Sequence, residues 1–141
     1  MLFGNHDLSF RKSDPIMIKT NKTIYDEPAS SDGKRILVMR IWPRGIKKTK
    51  MKLDGWMKEL GTDRELIKKW KNEKITWAEF SKEYKKSLRD KKGLLLKLFK
   101  ESKRKRITLL CSCKDEKHCH RYLLKKAIEA ASASKSHKMS A

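Results

Sequence analysis

Between residues 111 and 121 the chain reads CSCKDEKHCHR: three cysteines, two histidines and an arginine in eleven residues. Such side chains bind soft metals, attack electrophiles as thiolates or hold anions, and their spacing has to choose among these. Zinc takes Cys and His donors, and four of the five could surround one ion. The spacing speaks against it. No two cysteines stand in the finger-type arrangement, and the neighbours Cys119 and His120 are poorly disposed to share one tetrahedral ion, so no residue is assigned as a metal ligand. A thiolate nucleophile is the second chemistry: Cys113 or Cys119 near a helix start, beside His118, His120 and Arg121, would ionise more easily. The phosphatase-type step from Cys to Arg is absent, because the residue six past Cys113 is Cys119. The third is an anion pocket, in which backbone N–H groups at the helix start join His120 and Arg121 around a phosphate or carboxylate. Its plain alternative is that His120, four residues before Leu124 and so on the apolar side of the helix, is a satisfied core residue.

A second candidate segment is RIWPRG, Arg40 to Gly45. Arg44, just past a strand, can clamp a phosphate or carboxylate through two parallel hydrogen bonds, and Trp42 can stack on a base or sugar. The bland reading has Trp42 filling the edge of the core, Pro43 and Gly45 shaping a turn, and Arg44 solvated. Arg40 lies inside an apolar run and therefore needs an acidic or carbonyl partner, for which Asp26, Glu27 and Asp32 are at hand.

The elements that must position these segments follow from periodicity. Ile16, Met17 and Ile18 read as a short strand that Ile24 and Tyr25 extend or follow with a second. DEPASSDG, from Asp26 to Gly33, is a loop. The apolar run Arg35 to Trp42 fits a buried strand stopped by Pro43. Leu53, Trp56, Met57 and Leu60 recur at helical spacing, with Gly61 as a stop. A second helix, capped by Thr62 or Asp63, carries Leu66, Ile67 and Trp70. Thr76 with Glu79 is a capping box that opens a third, with Trp77, Phe80, Tyr84 and Leu88 on one stripe. Leu95, Leu98 and Phe99 line a fourth after Gly93. Arg106 to Ser112 is another buried-type strand, and Asp115 or Glu116 caps a last helix carrying Leu123, Leu124, Ala127, Ile128 and Ala131. Strands separated by helices predict a small parallel sheet flanked by helices, an α/β fold of layered, Rossmann-like form. Ligands of such sheets bind beyond the carboxyl ends of the strands, and both candidate segments fall there if their strands pair. Residues 1–14 read as a loose N-terminal extension, with Met17 an alternative start, 15–131 as one α/β domain, and 132–141 as a flexible tail.

Composition narrows the classes. The 141 residues are 38% hydrophobic, enough for one modest core. Lys and Arg number 37 against 17 Asp and Glu, a net charge of +20, and 28 of the 37 are Lys. Residues 46–105 hold 21 basic and nine acidic side chains. A field of this size favours polyanions, either nucleic acid or phosphorylated ligands, although a Lys-rich surface also serves solubility alone. No run approaches a membrane-spanning helix, and no signal-peptide pattern opens the chain. An odd cysteine count without one fits a reducing, cytoplasmic setting.

Taken in order, IYDEP…DG.RILV.R.WPRG, LD.W.KEL, W.EF..EY and LLC…KDE.HCHR resemble the YeaO-like family of bacterial and archaeal proteins, a family built on a domain of unknown function. The resemblance runs from about Ile18 to Glu129. It implies the single domain and the cytoplasmic setting but no reaction and no cofactor. Arg40, Trp42, Arg44, Cys111, Cys119, His120 and Arg121 match its signature positions. Members often carry Asp just before the arginine of the strand, and here Met39 stands there.

The expectation is a strand-end pocket for a phosphorylated or nucleotide-like ligand, with or without catalysis. Arg40, Trp42, Arg44, Cys111 and Arg121 would bind, and Cys119 and His120 are the catalytic candidates. The alternative is a non-specific nucleic-acid-binding module using the Lys-rich surface.

Overall fold

A computed structural model describes residues 15–140, with side chains through 131. The extension at 1–14 lies outside the described residues, and the tail from 132 is described in its backbone only. Four short strands form one parallel sheet in the order β1–β4–β2–β3: β1 is Ile18–Lys19, β2 Lys34–Leu37, β3 Gly55–Trp56 and β4 Ile107–Leu110. In the central pair Ile36 lies opposite Leu109 and Leu37 opposite Leu110. Five α-helices accompany them among the described residues: α1 Lys48–Met51, α2 Arg64–Lys71, α3 Trp77–Ser87, α4 Lys92–Arg104 and α5 His120–Ser140. The fold is the expected parallel α/β layering. No helix among the described residues is long and apolar enough to cross a membrane.

Strand alternation divides the core in two. Ile36, Val38, Ile107 and Leu109 face one side and pack on Phe80, Tyr84 and Leu88 of α3 and its end, Leu95 and Leu98 of α4, and Leu123, Leu124 and Ile128 of α5. Leu37 and Leu110 face the other side, where Ile24, Met51, Trp42, Leu53 and Trp56 cover them. That second layer is built of loops, the single turn of α1 and Trp56 of β3.

Two helix starts follow the expected chemistry. Asp63 accepts hydrogen bonds from the backbone N–H of Glu65 and Leu66, so it rather than Thr62 caps α2. Thr76 and Glu79 exchange side-chain and backbone bonds as a capping box on α3.

Other segments differ. Leu53 to Leu60 is not a helix. Lys52 adopts φ +46 and ends α1, β3 follows, and Lys58–Leu60 is a 3-10 turn. The apparent helical stripe is split between the two layers by extended backbone at the end of β3: Trp56 packs in the second layer and the next residue, Met57, in the main core. Ile24 and Tyr25 form a turn rather than a strand, because Asp26 Oδ2 takes the backbone N–H of Thr23 (2.7 Å) and bends the chain. β2 stops at Leu37, three residues before Arg40.

Candidate functional site

The carboxyl ends of β2 and β4 are held together beyond the sheet, since the N–H of Val38 donates to the Leu110 carbonyl (3.0 Å). Cys111 follows β4 directly. The chain then makes a loop and a 3-10 turn, Glu116–His118, before Cys119 leads into α5. Asp115 therefore caps this short turn, accepting from the His118 N–H, and not α5. The result brings Cys111, Cys119, His120 and Arg121 into one buried cluster.

His120 is its pivot. Its Nε2 bonds to the Val38 carbonyl. A carbonyl only accepts, so Nε2 carries a proton. Nδ1 then faces Cys119 Sγ at 3.7 Å and Cys111 Sγ at 4.0 Å. Tyr84 meets the imidazole edge-on at 5.5 Å and is fixed by its hydroxyl, which donates to the Leu60 carbonyl (2.7 Å). Burial raises the Tyr84 phenol well above its usual range. Cys111 Sγ, Cys119 Sγ and a His120 ring nitrogen lie within 4.8 Å of one another, a donor set able to hold a metal ion.

Arg121 is 1% exposed. Its Nε donates to the Thr20 carbonyl (2.7 Å), and Nη1 donates to the Cys113 carbonyl (2.7 Å) and Cys119 Sγ (3.1 Å). The guanidinium thus ties the end of β1 to the Cys111–Cys119 loop, and Thr20 adds a hydroxyl bond to Glu116. These bonds direct it inward, away from any anion arriving from solvent.

The thiols respond to these neighbours. The hydrogen bond from Cys119 lowers Cys111 to about 3, against burial and helped by His120. The same bond holds the proton on Cys119, which is pushed up. A bond to Cys119 also lowers the half-buried Cys113, to about 6, with Arg121 assisting. Of the three thiols, Cys111 and Cys113 are eased toward the thiolate, and Cys119 keeps its proton.

The His118 carbonyl accepts from the Cys113 thiol (3.9 Å), but its side chain turns away. It bonds Asp115 (2.9 Å), lies over Trp70 at 6.2 Å and meets Trp77 edge-on at 5.3 Å, so it docks the loop onto the α2–α3 aromatic cluster.

RIWPRG forms the neighbouring loop after β2. The buried in-strand arginine with an acidic partner is Arg35, not Arg40. Arg35 Nη1 bonds Asp32 Oδ2 (2.6 Å), and its Nη2 bonds the Met51 carbonyl (2.8 Å). Asp32 also pairs with Lys22 (2.9 Å), which is where the acidic loop side chain is spent. Arg40 is exposed, with Nε donating to the Gly61 carbonyl (3.1 Å). Trp42 is half-buried: its Nε1 donates to the Ile46 carbonyl (2.7 Å), its ring meets Trp56 edge-on at 5.3 Å, and Lys48 lies 5.5 Å over its centroid. Lys58 sits 4.5 Å over Trp56. Arg44 is exposed at a turn where Gly45 takes φ +74. The strand ends therefore carry two adjoining features, a buried thiol–imidazole–guanidinium cluster and an exposed basic, aromatic loop. A surface groove of about 620 Å³ lies elsewhere, between α2 and α3.

Sequence reasoning missed two participants. Thr20 gives no signal, because its carbonyl and hydroxyl matter only once β1 ends beside α5. Val38 acts through its carbonyl, which no side-chain pattern reports.

Fold and site together define a small parallel α/β protein with a cysteine–histidine–arginine cluster at the strand ends. Residues 17–141 match the family described as the inactive DUF488-N3 subclade, and the chain belongs to it. The chain is 40% identical over 103 residues to the uncharacterized protein YeaO of Escherichia coli, covering 73% of this chain and 90% of that one. The uncharacterized protein Rv3073c of Mycobacterium tuberculosis is 32% identical over 71 residues, half of this chain and 60% of its own length. No solved structure matches.

Proposed function

We propose that the protein binds a phosphorylated, nucleotide-like ligand on the basic loop at the carboxyl ends of the strands, without catalysing a reaction. One observation carries this reading. From Arg40 to Lys58 there are seven Lys and Arg against one acid, Asp54, and none of the seven makes an ion pair among the described residues. Asp54 itself is occupied by the backbone N–H of Arg35 (2.8 Å). Exposed cations beside a fixed pair of indoles suit phosphates and bases. Two further points favour binding over catalysis. Cys119 and His120, the catalytic candidates, are buried at 3% and 6% exposure, and the matched family is described as inactive. Cys111 and Arg121 then act behind the ligand face, holding its floor, while Arg40, Trp42 and Arg44 meet the ligand.

A nucleic acid is the polymeric form of the same ligand chemistry, and the charge on α2 favours it as a second reading: Lys68, Lys69 and Lys71 crowd its last turn. The test is affinity for a nucleoside triphosphate and for a short single-stranded oligonucleotide across a salt series. Wild type is compared with Arg40→Ala/Arg44→Ala and with Lys85→Ala/Lys86→Ala on the far end of α3. The loop variant should lose both ligands by about tenfold or more, the order expected when charge-assisted bonds are removed, while the α3 variant keeps them. Each phosphate neutralised on a single strand contributes about −0.7 to the log–log slope. A steep oligonucleotide slope lowered equally by both variants, with no triphosphate binding, would replace the loop site by a surface-wide nucleic-acid module. No affinity for either ligand at low salt would remove both readings.

A further inference from the structure

We propose that Cys111, Cys119 and His120 form a binding site for a thiophilic divalent cation of the zinc class, closing the carboxyl ends of β2 and β4 onto the start of α5. The site is separate from the exposed loop and does not depend on the ligand reading above.

Geometry comes first. Zinc–sulfur bonds of about 2.3 Å and zinc–nitrogen bonds of about 2.0–2.1 Å require tetrahedral edges of about 3.8 Å between sulfurs and about 3.5 Å between sulfur and nitrogen. His120 Nδ1 stands 3.7 Å from Cys119 Sγ and 4.0 Å from Cys111 Sγ, and all three donor atoms fall within 4.8 Å of one another. Drawing them around one ion needs movements of a few tenths of an ångström at most edges, within reach of side-chain adjustment.

The surrounding bonds are those of a metal-binding histidine. A ligating imidazole usually donates its other N–H to a carbonyl or carboxylate, which fixes the tautomer and aims the lone pair. His120 Nε2 does this with the Val38 carbonyl, and the Tyr84 ring holds the imidazole plane. That leaves Nδ1 facing the two sulfurs.

Charge is consistent with the same assignment. Arg121 is buried, and its hydrogen bonds go to two carbonyls and Cys119 Sγ, with no carboxylate among them. Two thiolates on a divalent ion are neutral together, and a third thiolate in the fourth position would be balanced by Arg121. Nη1 of Arg121 bridges the Cys113 carbonyl and Cys119 Sγ, and the Cys113 thiol neighbours Cys119 but lies outside the group of three donors, with its Sγ 3.6 Å from the Asp115 carbonyl, so it would have to turn inward to take that position. The spacing argument against zinc fails here because the donors come from a strand end and a helix start, set by the fold rather than by a local knuckle.

The experiment uses the full chain, reduced with a phosphine and freed of metal by a chelator, titrated with cobalt(II) and then zinc. The expected result is one equivalent of cobalt with tetrahedral d–d bands and a sulfur-to-cobalt charge-transfer band, displaced by one equivalent of zinc. Cys119→Ser, which leaves Cys111 alone of the two assigned sulfurs, should lower cobalt affinity by about tenfold or more and weaken the charge-transfer band, and Cys113→Ser should keep one equivalent at near wild-type affinity. Wild type alone gives a second reading that does not depend on a variant folding: one equivalent of zinc should raise the melting midpoint by several degrees, and chelator should reverse it. Weak octahedral cobalt spectra without charge transfer, as Asp115 and His118 would give, would overturn the site. So would a midpoint indifferent to zinc, or cobalt affinity and band intensity unchanged in Cys119→Ser and lost in Cys113→Ser.

Discussion

Asp32 does the work that sequence logic gave to a partner of Arg40. Its carboxylate accepts from Lys22, Arg35 and the Ala29 N–H, and its carbonyl accepts from the Thr108 hydroxyl (2.7 Å). Burial alone would raise its pKa. The Lys22 and Ala29 bonds and the Arg35 guanidinium outweigh it, and the pKa falls from 3.8 to about 2. A carboxyl depressed in the folded state stabilises the protein above its unfolded pKa, and that contribution is lost as pH falls. Urea midpoints measured between pH 5 and 2 should therefore drop through the window from about 4 down to about 2. Asp32→Asn should be less stable at pH 5 and should flatten that part of the profile. A wild-type profile level across the window would show that Asp32 is not held as an ion. The apolar neighbourhood of Arg35 gives the reason for the reassignment: a guanidinium inside a strand must be satisfied within the core, whereas Arg40 lies beyond the strand, is itself exposed, and donates only to the Gly61 carbonyl.

At the scale of elements, the turn between β3 and α2 sets the height of the RIWPRG loop. A side-chain carbon on Gly61 would come within 2.5 Å of the Arg40 backbone nitrogen and 2.8 Å of the Met39 carbonyl carbon. On the other side Met39's carbonyl accepts from Trp56 Nε1 (2.7 Å), so the loop has little room to retreat. Gly61→Ala should cost on the order of 2 kcal/mol, as overpacking against fixed backbone does, and should weaken phosphate-ligand binding because Arg40 is anchored on the Gly61 carbonyl. Denaturant melts and the oligonucleotide titration check the two parts separately. Unchanged stability would mean that the β3–α2 turn yields freely. Gly33 shows the same close approach elsewhere: it adopts φ +66 with the Arg106 carbonyl against its open side.

For the whole molecule the governing quantity is the net charge of +20. Only a few carboxylates are engaged with cations among the described residues, so most of the Lys field repels itself across the surface. Self-repulsion destabilises a compact state and is screened by salt. The melting midpoint should rise by several degrees between about 10 mM and about 0.3 M sodium chloride, over which the Debye length shrinks from about 30 Å to well under 10 Å. Calorimetry across that series is the check, and a midpoint falling with salt would mean that attractive pairs dominate. A bound polyanion should raise the midpoint at low salt and lose that effect at high salt, which links this measurement to the ligand proposal.

The sequence by itself determined the layered parallel α/β fold, the continuous burial of β2 and β4, the capping box at Thr76 and the proximity of two chemistry-bearing segments at the strand ends. These follow from local rules: apolar run length, capping residues and the need for a crossover between parallel strands. It could not determine β3, because Leu53, Trp56, Met57 and Leu60, which flank or end a two-residue strand and divide between the two core layers, have the spacing of one helical stripe. Nor could it decide the roles of His120 and Arg121. Residue type marked both, but only packing turned Arg121 inward onto Thr20 and Cys113 and aimed one nitrogen of His120 at Val38 and the other at two sulfurs. Those partners lie up to 101 positions apart in the chain, and distances of that kind are set by the sheet and the helix start together, never by spacing along the sequence.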